Sequence, residues 1–280
     1  MIERLGRQMT ILVTGATGTV GRHVVEQLNT KGVTVRALSR NPEKANLPEG
    51  VEVVAGDLTK PESLRYALEG INGLYLILSS DQGDSLQTEP RMIGMAKEAG
   101  VQRIVVLMDY EGNPVENAVR DSGMEWTLLK PVEFMGNVLD DWQASIREGG
   151  VVRSPFANAR SARVHEADIA AAAVAALTEE GHAGQSYILT GPEVKSRAEV
   201  VQQIADAIGR DIEFVELSEE EARQEWREQG YEEGDIDFFI EMGKNPPEIG
   251  HTVVPTVEQV TGKPARTFAQ WLEENKQYFL

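Results

Sequence analysis

The sequence predicts an α/β protein, a doubly wound parallel sheet followed by a smaller, mainly helical lobe. Three observations carry that expectation. Short β-rich runs alternate with helical segments through the first half, the pattern of a parallel sheet covered by helices on both faces. A glycine-rich turn joins the first such run to the first helix. With 280 residues, 41% of them hydrophobic, the chain can bury the core that such a sheet needs.

The first run, residues 10–14, holds Ile11, Leu12 and Val13 and leads directly into Thr14-Gly15-Ala16-Thr17-Gly18-Thr19-Val20-Gly21. Gly15 permits a tight turn off the strand, Gly18 lets the backbone approach a pyrophosphate, and Gly21 lets the helix pack closely on the sheet. The N–H groups of the turn then face phosphates at the positive end of the helix, which makes Gly15, Thr17, Gly18, Thr19 and Val20 candidate cofactor contacts. Glycines this dense also occur in ordinary loops, so the strand before and the helix after are what give the turn its meaning. Val20, Val24, Val25 and Leu28 fall on one helical stripe, and Lys31-Gly32 closes that helix before the next run at 33–38.

Further runs follow at 51–55, 74–78, 104–108 and 126–129, with crossovers at 61–68, 90–99 and 114–122, each carrying proline near its start. After Pro131 the rhythm changes. A helix is expected at 134–148, then an irregular stretch at 149–163, an alanine-rich helix at 167–177 and a strand at 186–190. The remainder is mainly helical with one more strand at 212–217, and four segments open with a capping-box signature: Ser196 with Glu199, Ser218 with Glu221, Thr256 with Gln259, and Thr267 with Gln270. The expected division is a Rossmann-type dinucleotide-binding domain at 1–131 and a substrate lobe at 132–280, with about 164–190 returning to the sheet.

The end of the second run indicates which dinucleotide. An NAD-preferring site places Asp or Glu there to bind the ribose hydroxyls. Here the chain reads Ala37-Leu38-Ser39-Arg40-Asn41, without an acid. Arg40 can pair with a 2′-phosphate through its guanidinium fork and Ser39 can add a hydrogen bond, so NADP(H) is the expected cofactor. Gly56-Asp57-Leu58 ends the third run, where adenine is expected: Asp57 either accepts from the exocyclic amine or caps the helix entering at Pro61, for which Thr59 with Glu62 competes, and Leu58 packs on the ring. Leu78, Ser79 and Ser80 end the fourth run and Met108 the fifth, on the path of the ribose and phosphates; Ser79 and Ser80 serve equally well as turn formers.

Composition excludes other classes. Cysteine is absent, which removes disulfides, thiol catalysis and cysteine-bound metals. His23, His165, His182 and His251 lack ligand spacing, and no metal site is expected. A net charge of −18 argues against sequence-independent nucleic-acid binding. The absence of a long apolar run and of an apolar start leads to the expectation of a cytoplasmic protein without a membrane span. The acidic stretch 213–241 reads as solvated helix surface or as a docking face for a partner.

Together these stretches resemble the NmrA-like group of atypical short-chain dehydrogenases/reductases. The matching segments are the glycine turn, Val-Arg-Ala-Leu-Ser-Arg-Asn-Pro-Glu-Lys at 35–44, Gly-Asp-Leu at 56–58 and Ala-Lys-Glu-Ala-Gly-Val at 96–101. Further matches are Ser-Gly-Met-Glu-Trp-Thr-Leu-Leu-Lys-Pro at 122–131, Phe-Met-Gly-Asn at 134–137, Thr-Gly-Pro at 190–192 and Thr-Gly-Lys-Pro-Ala-Arg-Thr-Phe at 261–268. The resemblance covers nearly the whole chain. It implies a Rossmann domain binding NADP, a small substrate lobe, and relatives that are quinone reductases or azoreductases.

The chain departs from the standard dehydrogenases at the proton relay. Their Tyr and Lys stand four residues apart, but here Tyr110 is followed at the fourth place by Pro114, and Met108 or Asp109 stands where a serine is expected. No catalytic residue is assigned from sequence. Hydride transfer to a quinone-like acceptor can proceed without that relay, in a pocket that aligns the nicotinamide. Tyr110, Phe134 and Asn137 are the candidate substrate contacts, with a loop anchor, a core residue and a helix-surface amide as their alternative roles. The expected function is an NADPH-dependent oxidoreductase acting on a small electron-poor molecule as a monomer or homodimer. Its rival is a non-catalytic NADP(H) sensor that signals to a protein partner.

Overall fold

The structure is a computed structural model that describes residues 9–79, 89–108 and 114–280. Its first elements alternate except that no α-helix separates β2 from β3: β1 Thr10–Val13, α1 Gly21–Thr30, β2 Thr34–Ser39, β3 Glu52–Ala55, α2 Arg65–Leu68, β4 Gly73–Ile77, α3 Glu89–Glu98, β5 Arg103–Leu107, α4 Pro114–Asp121 and β6 Glu125–Pro131. Then come α5 Asn137–Gly149, β7 Val151–Pro155, β8 Arg160–Ser161, α6 Glu166–Thr178, β9 Gln185–Leu189, β10 Lys195–Ser196 and α7 Arg197–Ile208. The chain finishes with β11 Glu213–Leu217, α8 Glu219–Glu228, α9 Glu233–Lys244, α10 Thr256–Thr261 and α11 Phe268–Asn275.

Seven strands form one sheet in the order β3-β2-β1-β4-β5-β6-β9, and every pairing in it is parallel. Alternation along the strands divides the side chains between two faces. Leu12, Leu74, Leu76, Ile104, Val106 and Leu128 join Leu64, Leu68, Met92, Ile93, Val115 and Val119 from the α2, α3 and α4 region in one buried cluster. Ile11, Val13, Tyr75, Val105 and Leu129 point to the other face and are also fully buried. There α6 packs on α1, close enough for Gln27 to donate to the Ala167 carbonyl at 2.9 Å. Alanines make this possible: Ala170, Ala172, Ala173 and Ala176 have no exposed surface, and each removes side-chain bulk from a helix surrounded by protein.

The described residues divide into two compact units. The first comprises the chain up to Pro131 together with Glu166–Leu189 and Gln259–Gly262; the second comprises Val132–His165, Thr190–Glu258 and Lys263–Leu280. The second unit has its own core, built from Met135, Val138, Trp142, Ile146, Val152, Val200, Ile204, Phe268, Trp271 and Phe279. Its helices α7, α8 and α11 begin with complete capping boxes at Ser196, Ser218 and Thr267.

Three expectations need correction here. The stretch 149–163 is not irregular, because β7 pairs in parallel with β11 and β8 antiparallel with β10. The helix expected from 134 begins at Asn137, because Phe134 is extended in a bridge with Val164 and Met135 donates to the Val164 carbonyl at 3.0 Å. Thr256 is the first residue of its helix rather than the cap before it.

Candidate functional site

Between β1 and β4 the order of the sheet reverses. The helix following β1 covers one face and the helix following β4 the other, which opens a crevice at the carboxyl ends of these two strands. Thr14, 1% exposed, locks the rim of that crevice: its N–H and hydroxyl both donate to the Tyr75 carbonyl at 3.0 Å, and its hydroxyl accepts from Ile77 N–H at 3.0 Å.

The glycine turn is shaped by collisions it avoids. Gly15 has φ +58°, and a Cβ there would stand 2.5 Å from Ile77 Cδ1. Gly18 N–H closes the turn on the Gly15 carbonyl at 2.9 Å. A Cβ on Gly21 would lie 2.0 Å from the Gly15 carbonyl oxygen, so its close packing is against the turn itself rather than the sheet. Thr17, Gly18 and Thr19 are exposed, while the Val20 side chain is buried. No side chain caps the N-terminus of α1, and its first turn carries no acid. The helix therefore presents its positive end, without a side-chain cap, to whatever fills the crevice, which fits a pyrophosphate.

The register of β1 with β2, Val13 opposite Ala37, brings the end of β2 beside this turn. Ser39 is half-buried and its hydroxyl accepts from Asn41 N–H at 3.1 Å; Arg40 is exposed. Asp57 follows β3 and accepts from both the N–H and the hydroxyl of Thr59, at 2.9 and 2.7 Å. That hydroxyl bond holds the Asp57 pKa below the usual aspartate range, with Lys60 and Arg40 adding to the effect. Neither capping role expected at this point is realised. The short 3₁₀ helix at Pro61–Leu64 has Lys60 at its N-cap with no side-chain bond, Thr59 serves Asp57, and Glu62 pairs with Arg65 at 2.8 Å.

Leu58 is partly buried against the core. Leu78 and Met108, 1% and 6% exposed, belong to it, which leaves their backbones as what they can offer a cofactor. Ser79 is half-buried. Ser80 and Tyr110 lie outside the described residues.

In the second unit, Phe134 and Asn137 are half-buried, on either side of Met135, which is fully buried in the core. Around them lies a charge cluster that sequence reasoning missed. Glu133 pairs with Arg163 at 3.0 Å, and Arg163 is 5% exposed with its Nε and Nη1 lacking any partner. One helical turn past Asn137, Asp141 keeps contact with solvent, yet desolvation by the surrounding chain and then the Glu133 charge push it up to about 6, against Arg197 and Arg163. The available signal was the spacing of Asn137 and Asp141, i and i+4 on α5; Arg163 and Arg197 are too distant in sequence to be placed without the fold.

Among the described residues no group of three or more His, Asp or Glu is placed to hold a metal ion, and no helix is long and apolar enough to cross a membrane.

Comparison with known proteins agrees with this geometry. A family model described as NAD(P)H-binding matches residues 15–113. The chain is 38% identical to a (4-alkanoyl-5-oxo-2,5-dihydrofuran-3-yl)methyl phosphate reductase of Streptomyces griseus, over 96% of this chain and 99% of the relative. It is 36% identical to an NAD(P)H azoreductase of Xenophilus azovorans, with the same coverage. Among solved structures, an Escherichia coli NADPH-dependent quinone oxidoreductase complexed with NADPH superposes with a TM-score of 0.80 at 28% identity, covering 95% of this chain and 99% of the other.

Proposed function

The chain belongs to the NAD(P)H-binding family of oxidoreductases, and from that premise we propose that it uses NADPH to reduce a small electron-poor molecule of the quinone or azo class. The observation that carries the choice of cofactor is the pairing of an α1 N-terminus without an acid or a side-chain cap with Arg40 at the end of β2, where residues 37–41 hold no acid to bind the ribose hydroxyls. When bound, NADPH supplies a hydride from its nicotinamide ring.

The chain's residues have the tasks of holding and shaping. Gly15, Thr17, Gly18, Thr19 and Val20 form the turn that holds the pyrophosphate, in which Gly18 serves by shape because its N–H is bonded to the Gly15 carbonyl. Ser39 and Arg40 take the 2′-phosphate, Asp57 and Leu58 border the adenine, and the chain at Leu78, Ser79, Ser80 and Met108 runs along the ribose and nicotinamide side. Tyr110, Phe134 and Asn137 contact the acceptor. Solvent supplies the proton that accompanies the hydride, since no Tyr/Lys relay is present.

The test is the loss of NADPH absorbance with a panel of benzoquinones, naphthoquinones and azo dyes, run beside dinucleotide binding by calorimetry. Turnover with at least one acceptor, at a kcat/KM higher with NADPH than with NADH, is expected. Tight NADPH binding without turnover on any acceptor would instead describe a dinucleotide-binding sensor.

A further inference from the structure

We infer that the second unit binds a chloride ion in a small cavity walled by β8, β10, α7 and α11, with the Arg163 guanidinium as its main donor. The site is independent of the reductase reading. Met135, Val200 and Phe268, each at most 2% exposed, give the cavity apolar walls, and Ser161, Arg163, Glu193 and Lys195 give it polar ones. The antiparallel pairing of β8 with β10 sets Ser161 opposite Lys195. With a volume of about 10 Å³, the cavity admits one species of roughly water size and excludes sulfate, phosphate and carboxylates.

Arg163 calls for an occupant. It is 5% exposed, Glu133 occupies its Nη2 at 3.0 Å, and among the described residues nothing accepts from Nε or Nη1. A desolvated guanidinium with unbonded N–H groups costs the fold more than a neutral donor would. Because a guanidinium only donates, what answers it must accept.

Charge and donor count then separate an anion from a water molecule. Arg163 and Lys195 place two cations on the wall against the carboxylate of Glu193. A water must donate its own hydrogens, yet both Glu193 oxygens are engaged: Oε1 accepts from Phe268 N–H at 3.0 Å and Oε2 pairs with Lys195 at 3.2 Å. A monatomic anion accepts from every side, donates nothing and cancels the excess positive charge. Chloride has that charge and nearly that size.

The experiment has a crystallographic arm and a solution arm. Crystals of the wild-type protein soaked in sodium bromide are expected to show an anomalous bromide peak in the cavity, within hydrogen-bond distance of the Arg163 guanidinium. A cavity without that peak, or one holding only a water, overturns the site. In thermal unfolding at equal ionic strength, sodium chloride and sodium bromide should raise the wild-type midpoint by about 3 °C over sodium gluconate, whose anion is too large to enter, and the rise should saturate. Arg163→Met and Lys195→Met should each lose that difference, the second serving where the first does not fold. A halide response that neither saturates nor falls in a folded variant overturns the stabilising role.

Discussion

Gly21 has no room for a side chain. An added methyl would sit 2.0 Å from the Gly15 carbonyl oxygen, so either the helix or the turn must move. Gly21→Ala is therefore expected to lower stability by about 1–3 kcal/mol and NADPH affinity at least tenfold, read from urea unfolding and calorimetry. Gly94 on α3 is the contrasting case, because nothing lies within 4 Å of its added Cβ. Gly94→Ala should stabilise by roughly 0.5–1 kcal/mol without touching cofactor affinity. The glycines were legible in the sequence because one residue type serves one backbone need. Arg163 and Asp141 were not, because their meaning depends on partners: Glu133 and the walls of a cavity for one, and Glu133, Arg163 and Arg197 for the other. Asp57 stands between these cases. Its place after β3 was readable, but its bond to Thr59 was not.

Helix α4 shows how a crossover is fastened to the sheet through charge. Glu116 accepts from Arg120 at 2.6 Å and from Lys130 of β6 at 3.3 Å, while the Arg120 guanidinium stacks 4.4 Å over the Trp126 ring. The Arg120 hydrogen bond, helped by Lys130, holds the Glu116 pKa below the usual glutamate value. A depressed carboxylate stabilises the fold at any pH above its unfolded pKa of about 4.3, and that contribution is lost as pH falls through the lower folded value. Glu116→Gln should thus be less stable than wild type at neutral pH, with the gap narrowing below about pH 4, as measured by denaturant unfolding across that range. At this scale the parallel strands were legible as apolar runs with prolines at the crossovers. β7 and β8 were hidden because Gly149-Gly150 and Pro155 read as loop, and their partners β11 and β10 lie far along the chain.

For the whole molecule, a ligand that binds only the folded state raises its unfolding temperature by mass action. NADPH at a hundred times its Kd adds roughly 2.7 kcal/mol, whereas NADH at the same concentration should shift the melting curve far less. Equal shifts from the two dinucleotides in differential scanning fluorimetry contradict the assignment of Arg40. The parallel sheet with flanking helices was readable from the alternating runs, and its last strand, β9, joins it only after α6. That late joining also imposes an order on synthesis. The α1 face cannot acquire its alanine-rich cover until Thr178 has left the ribosome, nor the sheet its last strand until Leu189 has. At roughly 5–20 residues per second, the stretch from Pro131 to Thr178 leaves that hydrophobic face bare for several seconds of translation. A fragment ending at Pro131, which lacks α6 and β9, would keep that face bare permanently and aggregate.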